Sequence, residues 1–329
     1  MFEHSAIRAR QVFWTLIKRA KTIFHVSLIK MQRMYFFNRL KKRHLRRARK
    51  RVLNEPITIL CPIHTFFIAD LFQNSLKKIN IESRIITSEP GFYGTGLYIV
   101  ICPLAFRNLP ARYFAFQLEQ SVSSRWLTEE YFSQLSSAQF VFDYSLVNID
   151  YFRKKEKYFH YLPIDYLPEV KRDGSNYEYD VLFYGDTNSP RRQLFLKQLE
   201  EHFSVKIVYK IYGDALYELL VKAKVVVNIH FYENALLETT RLYEVLSMGR
   251  SIIVSERSTD KIEDQRLENI IDFVEMDDSA AMIQRVAYWL QHDKERVEKI
   301  EENNKKLSEK ISSFDYYFYK YLLSDLGNY

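Results

Sequence analysis

Two α/β domains in tandem, each an open and mostly parallel sheet, are the fold this sequence predicts. Three observations predict it. Short β-branched runs alternate with helix-length segments from Pro56 onward. The alternation breaks once, between Pro163 and Glu178, in a polar stretch with two prolines and an Asp173–Gly174 step. It then resumes through Val274, and a length of 329 residues suits two domains.

Taken in order, Ile57–Cys61 reads as a strand, Pro62–His64 as a turn and Thr65–Lys78 as a helix. Arg84–Thr87 is a strand, and the loop EPGFYGTG leads to another at Leu97–Ile101. Phe114–Leu118, Gln139–Phe142 and Tyr158–Leu162 follow as strands, with helices near Arg125–Leu135 and Asn148–Lys154. In the second half, strands are expected at Val181–Tyr184, Val205–Tyr209, Val225–Ile229, Ser251–Ser255 and Ile271–Val274. Helices are expected at Gln193–Glu201 and Leu216–Lys222, and at Ala235–Met248, where Gly249 stops the helix. From Ala280 the tail is helical and charged until its aromatic end, FDYYFYKYLL; a segment that apolar must dock on something. The expected division is a basic arm at 1–55, domains at 56–165 and 166–280, and a helical tail at 281–329.

Composition narrows the class. The chain is 47% hydrophobic with 24 Tyr and 24 Phe, enough for large cores, and only eight Gly and eight Pro argue against low complexity. Cys61 and Cys102 end apolar runs and read as buried reduced thiols, not a disulfide framework. The eight His are scattered and no His/Cys spacing suits a structural zinc. No apolar run approaches the roughly 18–20 residues that cross a bilayer. The N-terminus lacks the clean apolar block of a secretory signal, so the expected compartment is the cytoplasm.

Charge is unevenly placed. Residues 1–51 hold 16 Lys/Arg against the single acid Glu3, a net of +15, so with +7 overall the remainder carries −8. Residues 2–51 contain no Gly or Pro, and Trp14, Phe24, Phe36 and Phe37 are interleaved with cations up to the block KKRHLRRARKR. Three readings compete: an amphipathic helix on an anionic membrane, an arm gripping nucleic-acid phosphates, and a helix packed on its own acidic body. The aromatic residues favour the membrane, peripherally on its inner face, over nucleic acid.

The stretch Asn228–Glu256 is the most informative about function. In a parallel sheet, strand–loop–helix–strand puts the loop His230–Asn234 at the carboxyl edge, where α/β proteins bind ligands. Glu238, Arg241 and Glu244 then share one broad helix face at three-residue steps. An ion-pair ladder on a solvated face is the plain alternative.

The segments VLFYGDTNSPRRQLFLKQL (181–199) and AKVVVNIHFYENALLETTRLYEVLSMGRSIIVSE (223–256) resemble the C-terminal domain of GT-B glycosyltransferases of the group 1 type. FQLEQ (116–120), Trp126, Tyr131 and FDYSLVNI (142–149) are similar to its spore-maturation-protein-like branch. The resemblance spans about 56–275 and implies two Rossmann-like domains facing a cleft, with a nucleotide-diphosphate sugar held by the rear domain as co-substrate. It implies a donor set of Gly185, Asn188, Arg191, Arg192, Glu238, Arg241 and Glu244. Gly185 would let backbone approach the donor, and Arg191 and Arg192 would offset the diphosphate. Glu244 would take the ribose hydroxyls. The loop Tyr232–Leu236 and the helix start behind it would face the phosphates. The sequence departs from retaining relatives, which often carry two glutamates eight positions apart: Glu233 is followed at that distance by Arg241, and Glu244 is preceded by Leu236.

The expected activity is metal-independent transfer of a sugar to a hydroxyl of a glycan or lipid-linked acceptor. His64 or Glu119 is the candidate base, and Gln120 stands beside Glu119 as a possible acceptor-side group. The rival readings are a non-catalytic glycan- or nucleotide-binding partner of the same fold and a nucleic-acid-binding protein using the basic arm.

Overall fold

The structure, a computed structural model, describes residues 56–122, 124–155, 157–171 and 176–327. The basic arm, 1–55, lies outside the described residues.

The first sheet is built from β1 (Ile57–Leu60), β2 (Ser83–Ile86), β3 (Tyr98–Ile101), β4 (Tyr113–Gln117), β5 (Phe140–Asp143) and β6 (His160–Tyr161). Their order is β2-β1-β3-β4-β5-β6, and every pairing is parallel. β1, β3 and β4 are buried along their whole length, which is why they read as unbroken apolar runs. Helix α1 (Phe66–Lys78) buries Ile68, Leu71, Phe72 and Leu76, a face set by three- and four-residue spacing. Helix α2 (Glu129–Ser136) starts four residues later than Arg125 because the Thr128 hydroxyl caps it, accepting from the Tyr131 N–H at 3.2 Å. Ser145 caps α3 (Leu146–Arg153) in the same way.

The second sheet holds β7 (Tyr179–Tyr184), β8 (Val205–Val208), β9 (Ala223–Asn228), β10 (Ile252–Glu256) and β11 (Asp272–Val274), in the parallel order β11-β10-β9-β7-β8. Between these strands run α4 (Pro190–Glu200), α5 (Asp214–Leu220), α6 (Thr239–Met248) and α7 (Lys261–Leu267). Both sheets therefore have the doubly wound organisation expected, with one sheet ending at Tyr161 and the next starting at Tyr179.

Two departures matter for the site. Helix α6 begins at Thr239, not Ala235. Asn234 is left-handed (φ 56°), the Thr259 N–H donates to the Ala235 carbonyl, and the Gln120 amide takes both backbone groups of Leu236, so those groups bond outside a helix. Gly249, also left-handed (φ 68°), ends α6 as expected. The tail is three helices: α8 (Ser279–Gln291), α9 (Asp293–Ser308) and α10 (Ser313–Gly327). α8 covers the second sheet with Met282, Val286 and Trp289. The start of α10 returns to the first lobe, where the Ser313 N–H donates to Asp165 at 2.6 Å and Phe314 packs edge-on against Phe72.

Both sheets lie in one compact unit that ends at Tyr317. Polar side chains tie its two lobes together. The Ser145 hydroxyl donates to Asp260 at 2.5 Å, and Tyr161 donates to Glu263 at 2.7 Å while accepting from Arg266 at 3.0 Å. Among the described residues no helix is long and apolar enough to cross a membrane. Cys61 and Cys102 are buried free thiols, each pushed up to about 12 by burial, so neither is a ready nucleophile.

Candidate functional site

A cavity of about 330 Å³ opens between the lobes. The first lobe contributes the turn Ile63–Phe66 and the strand-end residues Leu118, Gln120 and Tyr144; the second contributes Gly185, Asp186, Tyr212 and the start of α6. This is the carboxyl edge of both sheets, as a parallel topology requires.

The floor is a notch at Gly185. β7 ends there with φ 141°, a conformation that favours glycine. A β-carbon on Gly185 would lie 2.8 Å from Arg241 Nη2 and 3.3 Å from Arg192 Nη1, so the missing side chain lets backbone come close to both guanidinium groups. Arg192 is 2% exposed and held on every side: its Nε donates to the Ile229 carbonyl at 2.8 Å, its Nη1 to Asp186 O at 2.9 Å and its Nη2 to Glu238 at 2.9 Å. Arg241 donates to Asn228 at 2.9 Å, pairs with the other oxygen of Glu238, and lies over the Tyr184 ring. One carboxylate thus serves two arginines, and the triad keeps a surplus positive charge. Burial pushes Arg192 down to about 10, helped by the nearby Arg241, and leaves it protonated at neutral pH. Burial alone would raise Glu238, but Arg241 and Arg192 outweigh it and hold the carboxyl low.

Beside the notch, α6 offers its N-terminus. Thr239 is 2% exposed, its hydroxyl has no hydrogen-bond partner, and it lines the cavity together with Thr240. The helix dipole and the N–H groups of a helix's first turn favour an anion at such a position. Deeper in, Glu244 accepts from the Tyr184 hydroxyl at 2.8 Å, and burial raises its carboxyl to about 7. At the mouth, the solvent-facing His64 sits 6.1 Å from the Tyr212 ring across the gap, and the surrounding protein lowers its pKa by desolvation.

The structure brings together His64, Gly185, Glu238, Arg241 and Glu244 on the cavity wall, with Arg192 immediately behind it. Three expected residues lie elsewhere. Arg191 turns away to Glu256, Asp277 and the His230 carbonyl. Asn188 is exposed, and its N–H caps the Asp186 carboxylate at 2.8 Å. Glu119 is beyond the lining residues; burial raises its pKa, and Ser124 donates to it at 2.7 Å. The loop Tyr232–Leu236 does not line the cavity either; Leu236 is instead fastened to Gln120. Tyr184, Tyr212 and Thr239 are site residues that pattern reading passed over. Tyr184 closes a strand and Thr239 opens a helix, positions whose ordinary role is structural. Among the described residues no group of three or more His, Cys, Asp or Glu comes together in a way that could hold a metal ion.

No family model matches this sequence, and no curated protein sequence does. Solved structures do match. The chain is similar to an alpha-glucosyltransferase in complex with UDP and a 13-mer DNA containing a HMU base, at 12% identity and a TM-score of 0.57, over 82% of this chain and 99% of that one. It is similar to WaaG, a glycosyltransferase involved in lipopolysaccharide biosynthesis, at 9% identity and 0.52, over 81% and 98%. It is also similar to T4 phage BGT in complex with UDP and Mn2+, at 13% identity and 0.50, over 82% and 99%. At these identities the likeness establishes the two-lobed architecture.

Proposed function

With a GT-B fold as the premise, we propose that this protein is a glycosyltransferase that takes a sugar from a nucleotide-diphosphate donor. The observation that carries the reading is the notch at Gly185, where Arg241 Nη2 and Arg192 Nη1 lie beside the start of α6. That arrangement suits a diphosphate, both as ground-state ligand and as departing group, because charge grows on its oxygens as the glycosidic bond breaks. Arg241 and Arg192 supply that charge, so the reading is metal-independent. Glu244 takes the ribose hydroxyls. His64, on the opposite wall, is the better placed base for an acceptor hydroxyl, its lowered pKa keeping it neutral and able to accept a proton. The finer likeness to the spore-maturation branch rests on the sequence motifs alone.

UDP-glucose is a suitable probe, because its diphosphate does not titrate near neutral pH. A ribose hydroxyl donates best to an ionised carboxylate. Glu244, raised to about 7 by burial, should therefore bind donor more weakly as pH falls through that value. Calorimetry should show UDP-glucose affinity dropping on the acid side in the native protein and nearly flat in Glu244→Gln. Folding runs in the same protonic direction but opposite sense: the folded acid holds its proton between 4.5 and about 7, so this group's contribution to stability is lost as pH rises through that window. Native protein that binds neither UDP-glucose nor GDP-mannose would remove the reading. Binding without slow release of free glucose would favour the non-catalytic partner of the same fold.

The acceptor is proposed to be a hydroxyl on a glycan or lipid-linked molecule, with the cationic segment 2–51 holding the enzyme to an anionic membrane surface. One of these similar structures carries DNA, which is a property of that protein. A chain lacking residues 2–51 is expected to lose co-sedimentation with phosphatidylserine vesicles. Undiminished co-sedimentation would discard the membrane role, and retention on duplex DNA at moderate salt would favour nucleic acid instead.

A further inference from the structure

Beside the cavity, outside its lining, stands a polar and aromatic shelf that the donor site does not use. Glu119 follows β4, at the cleft edge of the first sheet. Its carboxylate accepts from the Ser124 hydroxyl at 2.7 Å, and that same Ser124 oxygen accepts the Trp126 N–H at 3.2 Å. One hydroxyl thereby holds the carboxylate and the backbone of the residue that carries the indole. Trp126 is 43% exposed, a large apolar ring left open to solvent, with the Arg125 guanidinium over it at 4.7 Å. From the second lobe, Tyr232 lies within electrostatic range of both Glu119 and Arg125. The Gln120–Leu236 clasp fixes these two lobe edges against each other, with bonds of 2.9 and 3.4 Å.

An exposed indole on the loop that carries the carboxyl, with a phenol from the facing lobe within electrostatic range of that carboxyl, suits a pyranose ring. The axial C–H bonds lie on an aromatic face, and the ring hydroxyls need a fixed acceptor. A polyanion suits the shelf poorly, because Glu119 belongs to it and residues 52–329 carry a net −8. We propose that Trp126, Tyr232 and Glu119 form an acceptor subsite that takes a carbohydrate ring, with Trp126 as the stacking platform and Glu119 as the hydroxyl acceptor. This rests on the transferase reading above, since it supplies the second substrate of that reaction. Arg125 lends the shelf a cation that orients the indole.

Saturation-transfer NMR on the full chain tests it, using methyl α- and β-glucopyranoside and the matching galactosides in the presence of UDP. Ring C–H signals are expected in the native protein. Trp126→Ala and Glu119→Gln should weaken this binding about tenfold, with UDP affinity by calorimetry unchanged. Glycoside signals that persist in a Trp126→Ala protein with normal UDP affinity would overturn the proposal, as would no glycoside signal from native protein that binds UDP. Trp126-dependent signals from a hydroxymethylated DNA duplex, and none from glycosides, would overturn it in favour of a nucleic-acid acceptor. Loss of UDP binding by the native protein would instead be a failure of the donor reading. Trp126→Phe separates stacking from folding: it should recover most of the glycoside signal.

Discussion

Replacing Arg241 by alanine is expected to weaken UDP binding by about a hundredfold, near 3 kcal/mol, because a desolvated guanidinium facing a diphosphate is removed. The fold should tolerate the change. Glu238 keeps Arg192 as a partner at 2.9 Å, so no buried carboxylate is orphaned. What changes is the charge of the notch. Two arginines sharing one glutamate leave a surplus of one positive charge, and without Arg241 the remaining pair is neutral. Arg241→Lys should recover little, because a single ammonium cannot satisfy Glu238, Asn228 and a phosphate oxygen with the forked geometry of the original. Gly185→Ala approaches the same notch from the other side. Its methyl would sit 2.8 Å from Arg241 Nη2, and φ 141° is unfavourable for alanine, at a strain of about 1–3 kcal/mol. Arg241→Ala and Gly185→Ala should both melt cooperatively and bind UDP far more weakly than the native protein. UDP affinity within twofold of the native value in folded Arg241→Ala would leave the notch without a ligand and the donor reading without its main support.

The sequence carried the architecture because the signals for it are local. The β-branched cores of β1, β3, β7 and β9 alternate with helix-length segments, and both sheets came out parallel and in tandem. The stop at Gly249 was legible for the same reason, and it adopts positive φ there. The start of α6 was not legible, since Ala235, Leu236 and Leu237 have helical propensity and are buried at 1% exposure or less. Bonds from Thr259 and Gln120, distant in sequence, decided their conformation. The arginine pair shows the limit most clearly. Adjacent residues on a helix point about 100° apart, so Arg191 and Arg192 could not both face the donor. Which one did so depended on a fully buried acid two strands away, Glu256, whose partner no spacing rule identifies. Glu119 and Glu244 show the same dependence. Both are carboxyls raised by burial, yet only Glu244 lines the cavity.

Arg191 therefore has an expected phenotype opposite to that of Arg241. Its guanidinium pairs with Glu256, which is 0% exposed, and also bonds Asp277 at 2.7 Å and the His230 carbonyl at 2.9 Å. Glu256 sits at the end of β10 and, among the described residues, otherwise accepts the backbone N–H groups of His230 and Asp277, each at 2.9 Å. Arg191→Ala would leave a fully buried carboxylate without its cation, at about 3–5 kcal/mol. For a lobe of this size that corresponds to a fall in melting temperature of roughly 10 °C or more. The double variant Arg191→Met, Glu256→Met should regain much of the loss, because an apolar pair replaces the buried charges and no lone ion remains. UDP affinity, measured well below the melting temperature, should stay close to native in both, since neither group lines the cavity. A stable Arg191→Ala protein that has lost UDP binding would reverse this assignment and return Arg191 to the diphosphate. Loss of stability with donor affinity intact would identify Arg191 as the brace that holds the β9–α6 loop and the end of β10 in register behind the site.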